Sequence, residues 1–227
     1  LHPNHPPQRC SGRKIIVRKK EKALAIVNAL KEEYPDAACS LESRNALELL
    51  IATRLSAQCT DERVNIVTKD LFAKYKSAQD FASADLGDIE SIIHSCGLYK
   101  TKARDIIAMC RMLIDRFDSK VPDTIEALVQ LPGVGRKTAN LVVGDIYGKP
   151  SVVVDTHCLR LTNRLGLADS KDPAAVEKTL RGLIPPEESG MFCHRLVWHG
   201  RAVCTARRPE CTLCCLREWC SYYKNNS

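Results

Sequence analysis

Apolar residues recur along this chain at helical spacing, separated by short polar links. Leu24, Val27 and Leu30 share one face of a segment from Lys20 to Glu33, which Tyr34-Pro35 ends. Ser43 is placed to cap a second helix, with Leu47, Leu50, Ile51 and Leu55 as its apolar stripe. Further helical patterns cover Asp61–Lys74, Leu86–Ser95, Lys102–Arg116, Thr124–Gln130, Arg136 to about Tyr147, Ala174–Leu183 and Met191–Val203. Ser151-Val152-Val153-Val154 has β propensity, but so short a segment without a partner makes no sheet, and it is read as an extended connector. The expected fold class is all-α, with short links joining antiparallel neighbours. Residues 1–14, rich in Pro and polar groups, are read as a loose arm.

Composition narrows the class. The chain has 227 residues, 44% apolar and 27% charged, which excludes disordered and fibrous proteins. Its 34 Lys and Arg outnumber 27 Asp and Glu, and the net charge of +7 favours an anionic partner. No apolar run approaches the ~18 residues of a membrane span. The opening residues lack the apolar core of a secretory signal. The expected location is the cytoplasm.

Six of the 12 cysteines, Cys193, Cys204, Cys211, Cys214, Cys215 and Cys220, crowd into the last stretch of the chain. Cys10, Cys39, Cys59, Cys96, Cys110 and Cys158 are spread singly among apolar or small residues and are read as buried small hydrophobes. Cys204, Cys211, Cys214 and Cys220 offer one close pair flanked by wider steps. Zinc sites usually use two tight pairs. A loop of this spacing suits a larger object, and four thiolates are the ligand set of a 4Fe-4S cluster. A zinc site or reduced thiols is the alternative. Cys215 is the spare, because adjacent side chains diverge. His194 and His199 are read as helix residues making hydrogen bonds. Arg207 and Arg208 lie within the cysteine loop, where a pinned basic segment suits phosphate contact.

Leu131-Pro132-Gly133-Val134-Gly135-Arg136-Lys137 joins two helices by a tight turn. Gly133 and Gly135 are expected to adopt torsions that present N–H groups at the start of the next helix, where the dipole favours an anion such as a nucleic-acid phosphate. Lys137 sits in that first turn, and an amine beside bound DNA can attack a sugar carbon and form a Schiff base. Asp155, in Val154-Asp155-Thr156-His157, could support positive charge developing on the sugar or assist the nucleophile. A phosphate-binding lysine and a helix-capping aspartate are the plainer readings.

With Leu55-Ser56-Ala57-Gln58 and Gly97-Leu98-Tyr99 added to the hairpin, Asp155 and the cysteine loop, the chain resembles the endonuclease III family of helix-hairpin-helix DNA glycosylases over about residues 20–224. That resemblance implies a six-helix barrel domain at 39–149. It also implies a discontinuous iron–sulfur cluster domain from 1–38 and 150–227, with Cys204, Cys211, Cys214 and Cys220 holding a 4Fe-4S cluster. It implies a bifunctional glycosylase and abasic-site lyase of base excision repair. Lys137 would attack C1′ of an oxidised pyrimidine nucleotide with help from Asp155, and β-elimination would then cut the strand. Gln58 and Leu98 would fill the space left by the extruded base, and Gly133, Val134, Gly135, Arg136, His157, Arg207 and Arg208 would contact DNA. The implied partner is double-stranded DNA with oxidised pyrimidines or abasic sites, bound by a monomer at a bacterial nucleoid. Glu210 and Cys215 depart from the family pattern. The alternatives are a monofunctional mismatch or adenine glycosylase of the same fold, which Lys137 disfavours, and a non-catalytic iron–sulfur DNA-binding protein.

Overall fold

The structure, a computed structural model, describes the backbone of residues 11–226 and the side chains of residues 18–226. Among these residues its regular elements are all helices and it contains no strand. Contacts divide the chain into two compact units, residues 1–37 with 154–227, and residues 38–153.

The first helix, α1 (Ser11–Glu33), belongs to the discontinuous unit. It begins well before the expected Lys20, so 11–14 are helical and not part of an arm; residues 1–10, including Cys10, lie outside the described residues. Ala23, Ile26, Val27 and Leu30 form its buried face, whereas Leu24 is 48% exposed. The expected stripe is therefore displaced by a fraction of a turn.

The continuous unit holds α2 (Ala46–Leu55), α3 (Asp61–Lys74), α4 (Ala78–Ala82), α5 (Leu86–Ile92), α6 (Tyr99–Phe117), α7 (Ile125–Leu128) and α8 (Arg136–Asp145). Asn45, not Ser43, caps α2, its side chain accepting from the Glu48 N–H at 3.0 Å. Both residue types can cap; Asn45 is the one adjacent to the first helical residue. Leu49, Leu50, Ile51, Ala52 and Leu55 are all buried, so α2 carries apolar groups nearly all round instead of a single stripe. That composition suits a central helix, and α2 packs against α3, α6 and α8. The long α6 also packs on α4 and α5, and α7 on α8.

The connector 151–154 has no helix or strand, and the Val152 N–H donates to Asn140 Oδ1 at 3.3 Å. After it the discontinuous unit resumes with α9 (Thr156–Leu165), α10 (Pro173–Leu183), α11 (Ser189–Ala202) and α12 (Ser221–Asn226). The periodicity reading had no helix at 156–165. Its signals were present: Asp155 as N-cap, buried Cys158, Leu161, Thr162 and Leu165 on one face, and Gly166 at φ 73 as the C-cap. In this unit α9 packs on α11 and α12, and α1 on α10 and α11.

Candidate functional site

In the continuous unit, α7 and α8 form the helix–turn–helix that displays Lys137. The turn is anchored by buried Leu131 and Val134, and the Val134 N–H donates to the Leu131 carbonyl at 3.1 Å. Gly133 has φ +74, and a Cβ there would lie 2.6 Å from Arg54 Nε and 2.9 Å from Asp105 Oδ2. Its glycine is thus required twice, by torsion and by space. Gly135 corrects the expectation: its φ of −93 and ψ of 173 are ordinary extended values, and nothing lies within 4 Å of an added Cβ. What Gly135 leaves is an open approach to the start of α8. No side chain caps that ten-residue helix, and the positive end of its dipole favours an anion there. Arg136 and Lys137 are exposed in its first turn, and Lys137 has no ion pair or hydrogen bond among the described residues.

Gln58 and Leu98 lie in neighbouring loops of the same unit, close enough that a Cβ on Gly97 would be 3.8 Å from the Gln58 carbonyl oxygen. Both are exposed, Leu98 to 57%, and both are non-glycine residues with positive φ, 54 for Gln58 and 51 for Leu98. Behind them Lys102 is wholly buried. Burial is the main cause lowering the pKa of its ammonium. The sequence pattern began this helix at Lys102; α6 begins three residues earlier, at Tyr99, so Lys102 lies within its first turns.

In the discontinuous unit, Asp155 is half-buried and caps α9, its Oδ1 accepting from the Cys158 N–H at 2.7 Å. The plainer capping reading of Asp155 is therefore correct, and its second oxygen makes no hydrogen bond among the described residues. His157 is half-buried, with Nδ1 3.1 Å from Arg160 Nη2. Arg207 and Arg208 are exposed.

Cys204, Cys211, Cys214 and Cys220 line one small cavity of about 20 Å³ with Arg164, Arg217, Tyr222 and Tyr223. Arg164 donates to Cys204 Sγ at 3.3 Å and stacks over the Tyr222 ring at 4.8 Å. His199 Nε2 lies 3.3 Å from Cys214 Sγ, and its Nδ1 is 3.0 Å from the Tyr34 hydroxyl. Burial pushes the His199 pKa down to about 4, so the ring is neutral at ordinary pH. Arg164 and Tyr34 were not legible as partners of this loop, since each arrives from a distant helix end. Cys215 is half-buried, and burial together with Cys214 and Glu33 pushes its thiol up to about 12. Of the scattered cysteines Cys96, Cys110 and Cys158 are buried as expected, whereas Cys39 and Cys59 are only partly so.

Residues 51–186 match the HhH-GPD superfamily of base excision DNA repair proteins. Endonuclease III of Synechocystis sp. is 47% identical over 90% of this chain and 94% of its own length. The chain belongs to the endonuclease III family. Endonuclease III of Escherichia coli is 38% identical over 89% of this chain and 96% of its own length. A solved structure of a trapped covalent endonuclease III–DNA intermediate superposes with TM-score 0.86 at 45% identity, over 91% of this chain and 98% of that one. A thermostable thymine-DNA glycosylase shares the fold, with TM-score 0.79 at 24% identity over 92% of this chain and 98% of its own. Membership makes this endonuclease III homologue an enzyme of base excision repair, a DNA glycosylase with abasic-site lyase activity. Among the described residues no helix is long and apolar enough to cross a membrane, and the relatives named here are bacterial.

Proposed function

We propose that Lys137 is the nucleophile of the glycosylase and lyase steps, that Asp155 assists it, and that the substrate is an oxidised pyrimidine nucleotide in double-stranded DNA. The observation that carries this reading is an exposed amine with no partner among the described residues, one residue into a helix that no side chain caps and whose dipole favours a phosphate. A phosphate held there brings the neighbouring sugar towards Lys137. The lone pair of Lys137 Nζ attacks C1′, the C1′–N bond to the base breaks, and the base departs with the bonding electrons and the proton that the attacking nitrogen gives up. The sugar ring opens to a Schiff base, which acidifies the C2′ proton. Loss of that proton expels the 3′ phosphate and breaks the strand. The Asp155 carboxyl oxygen that the cap leaves unbonded is placed to stabilise positive charge on the sugar as the base leaves.

Gln58 and Leu98, exposed on adjacent loops, would fill the vacated stack, the damaged base being the cheapest to extrude. Val134 supports the hairpin from below, while Gly133, Gly135, Arg136, His157, Arg207 and Arg208 would meet DNA. Cys204, Cys211, Cys214 and Cys220 would hold a 4Fe-4S cluster. The donor set fits in kind, since four thiols line one cavity. Held by Cys204 and Cys211 at the two ends of the segment that carries Arg207 and Arg208, such a cluster would restrain that segment. The protein would act as a monomer in the cytoplasm of a bacterium, at the nucleoid.

Borohydride trapping on a duplex with one thymine glycol tests the reading. The parent protein is expected to give a covalent protein–DNA band that Lys137→Ala does not give. Base release without trapping would overturn the lyase assignment, and a band surviving in Lys137→Ala would remove Lys137 from the centre.

A further inference from the structure

Lys102 is exposed to 0%, and among the described residues no carboxylate pairs with it. Its Nζ instead donates to two main-chain carbonyls from different parts of the unit, Leu55 at 2.7 Å and Cys96 at 2.5 Å. Leu55 is the last residue of α2, where helix carbonyls lack N–H partners and carry the negative end of the dipole. Cys96 directly precedes Gly97-Leu98. Gln58 follows Leu55 by one turn of chain. The two carbonyls therefore mark the starts of the two loops that present Gln58 and Leu98.

Those loops hold backbone conformations that L residues resist. Gln58 and Leu98 both sit near φ +50, beside Gly97 at φ 38. Such residues persist only where the surroundings over-determine them. The α6 start contributes, with the Lys102 and Thr101 N–H groups donating to the Leu98 carbonyl at 3.0 and 3.1 Å. The Cys59 N–H to Ser56 carbonyl bond at 3.1 Å closes the other loop. Neither bond links one loop to the other, whereas the Lys102 ammonium does. An ammonium carries three N–H donors on one atom, and can satisfy carbonyls of two segments from a single point. An apolar side chain of the same length would leave both carbonyls without that partner.

We propose that Lys102 is a positioning residue that sets the spacing of the Gln58 and Leu98 loops, so that the two side chains enter the duplex together. This rests on the reading that Gln58 and Leu98 fill the space of the extruded base. Lys102 touches no DNA; it acts through the loops. Its effect falls on substrates that must be unstacked, and spares those that need no unstacking.

The test compares Lys102→Met with the parent, both loaded as isolated, on two substrates. On duplex thymine glycol, base release at saturating enzyme should slow at least tenfold. On an abasic site in single-stranded DNA, strand cleavage should stay within twofold. An equal fall on both substrates, or no fall on either, would overturn the proposal. Leu98→Ala combined with Gln58→Ala reports on the underlying reading: if that pair leaves duplex base release unchanged, the space-filling role fails and Lys102 loses its target. If the pair slows release and Lys102→Met does not, only the present inference falls. In the triple variant, Lys102→Met should add less than twofold, because the groups it positions are gone. Should Lys102→Met not fold, hydrogen exchange on the parent decides the matter. The Cys59 and Lys102 amides should open with one shared rate, and rates a hundredfold apart would overturn the proposal.

Discussion

Arg54 of α2 and Asp105 of α6 form an ion pair, Nη2 to Oδ2 at 2.6 Å, and the turn at Gly133 rests directly against it. The pair is largely shielded, with side-chain exposures of 13% and 25%, and a second bond from Arg54 Nε at 2.9 Å fixes the guanidinium plane. The hairpin thus stands on a charged base whose position any added atom at Gly133 would disturb.

Gly133→Ala is therefore expected to destabilise the protein by about 2 kcal/mol or more. About 1–2 kcal/mol comes from the left-handed torsion, and displacement of Arg54 adds to it. Gly135→Ala should change stability by less than about 0.5 kcal/mol, since its torsion is ordinary and its surroundings open. It should still weaken DNA binding if the start of α8 receives a phosphate. Urea titration and duplex binding of the two variants separate fold from contact.

Asp155 does two jobs that substitution can part. Asparagine keeps an oxygen able to accept from the Cys158 N–H, so Asp155→Asn should stay within about 0.5 kcal/mol of the parent. Without the negative charge, base release should slow by about 10²-fold or more. Asp155→Ala should show the same kinetic loss and cost about 1 kcal/mol of stability besides. Single-turnover kinetics beside thermal melts check this; unchanged kinetics for Asp155→Asn would leave Asp155 as a cap alone.

Iron content should follow the cavity lining. Replacing any one of Cys204, Cys211, Cys214 or Cys220 by Ala should reduce bound iron and the visible absorbance together, whereas Cys215→Ala should retain both. Zinc in place of iron in the parent would refute the cluster assignment.

Glu188 accepts from Lys31 at 2.5 Å and from Arg195 at 2.9 Å, and these bonds hold its pKa below the usual 4.5. A depressed carboxylate stabilises the fold above its unfolded value, and that contribution disappears as pH falls through the folded value. The melting temperature should therefore drop as pH is lowered below about 4.5, and Glu188→Gln should flatten that part of the profile while being less stable at pH 7. An identical acid profile in parent and variant would show that the pair adds nothing. Glu188 is only partly covered, so solvent screens part of the effect.

Residue order alone carries the helical class, because a 3.6-residue apolar period survives in α1, α3, α10 and α11 whatever packs against them. It also carries the hairpin with Lys137, the cysteine spacing and Asp155, since these motifs are local. It is blind to α9 only because its polar cap and β-branched approach mask a period that is there. Packing between distant segments assigned the rest. That Lys102 is buried depends on where α6 starts and on two carbonyls 47 and 6 residues away. That Gly133 must be glycine for space depends on Arg54 and Asp105, which only the folded chain brings against it. That Leu98 is exposed and Leu49 buried cannot be read from two leucines in sequence, because burial is decided by what other chain segments cover. Local chemistry is written in neighbouring residues; the partners of a buried charge are set only when the chain has folded back on itself.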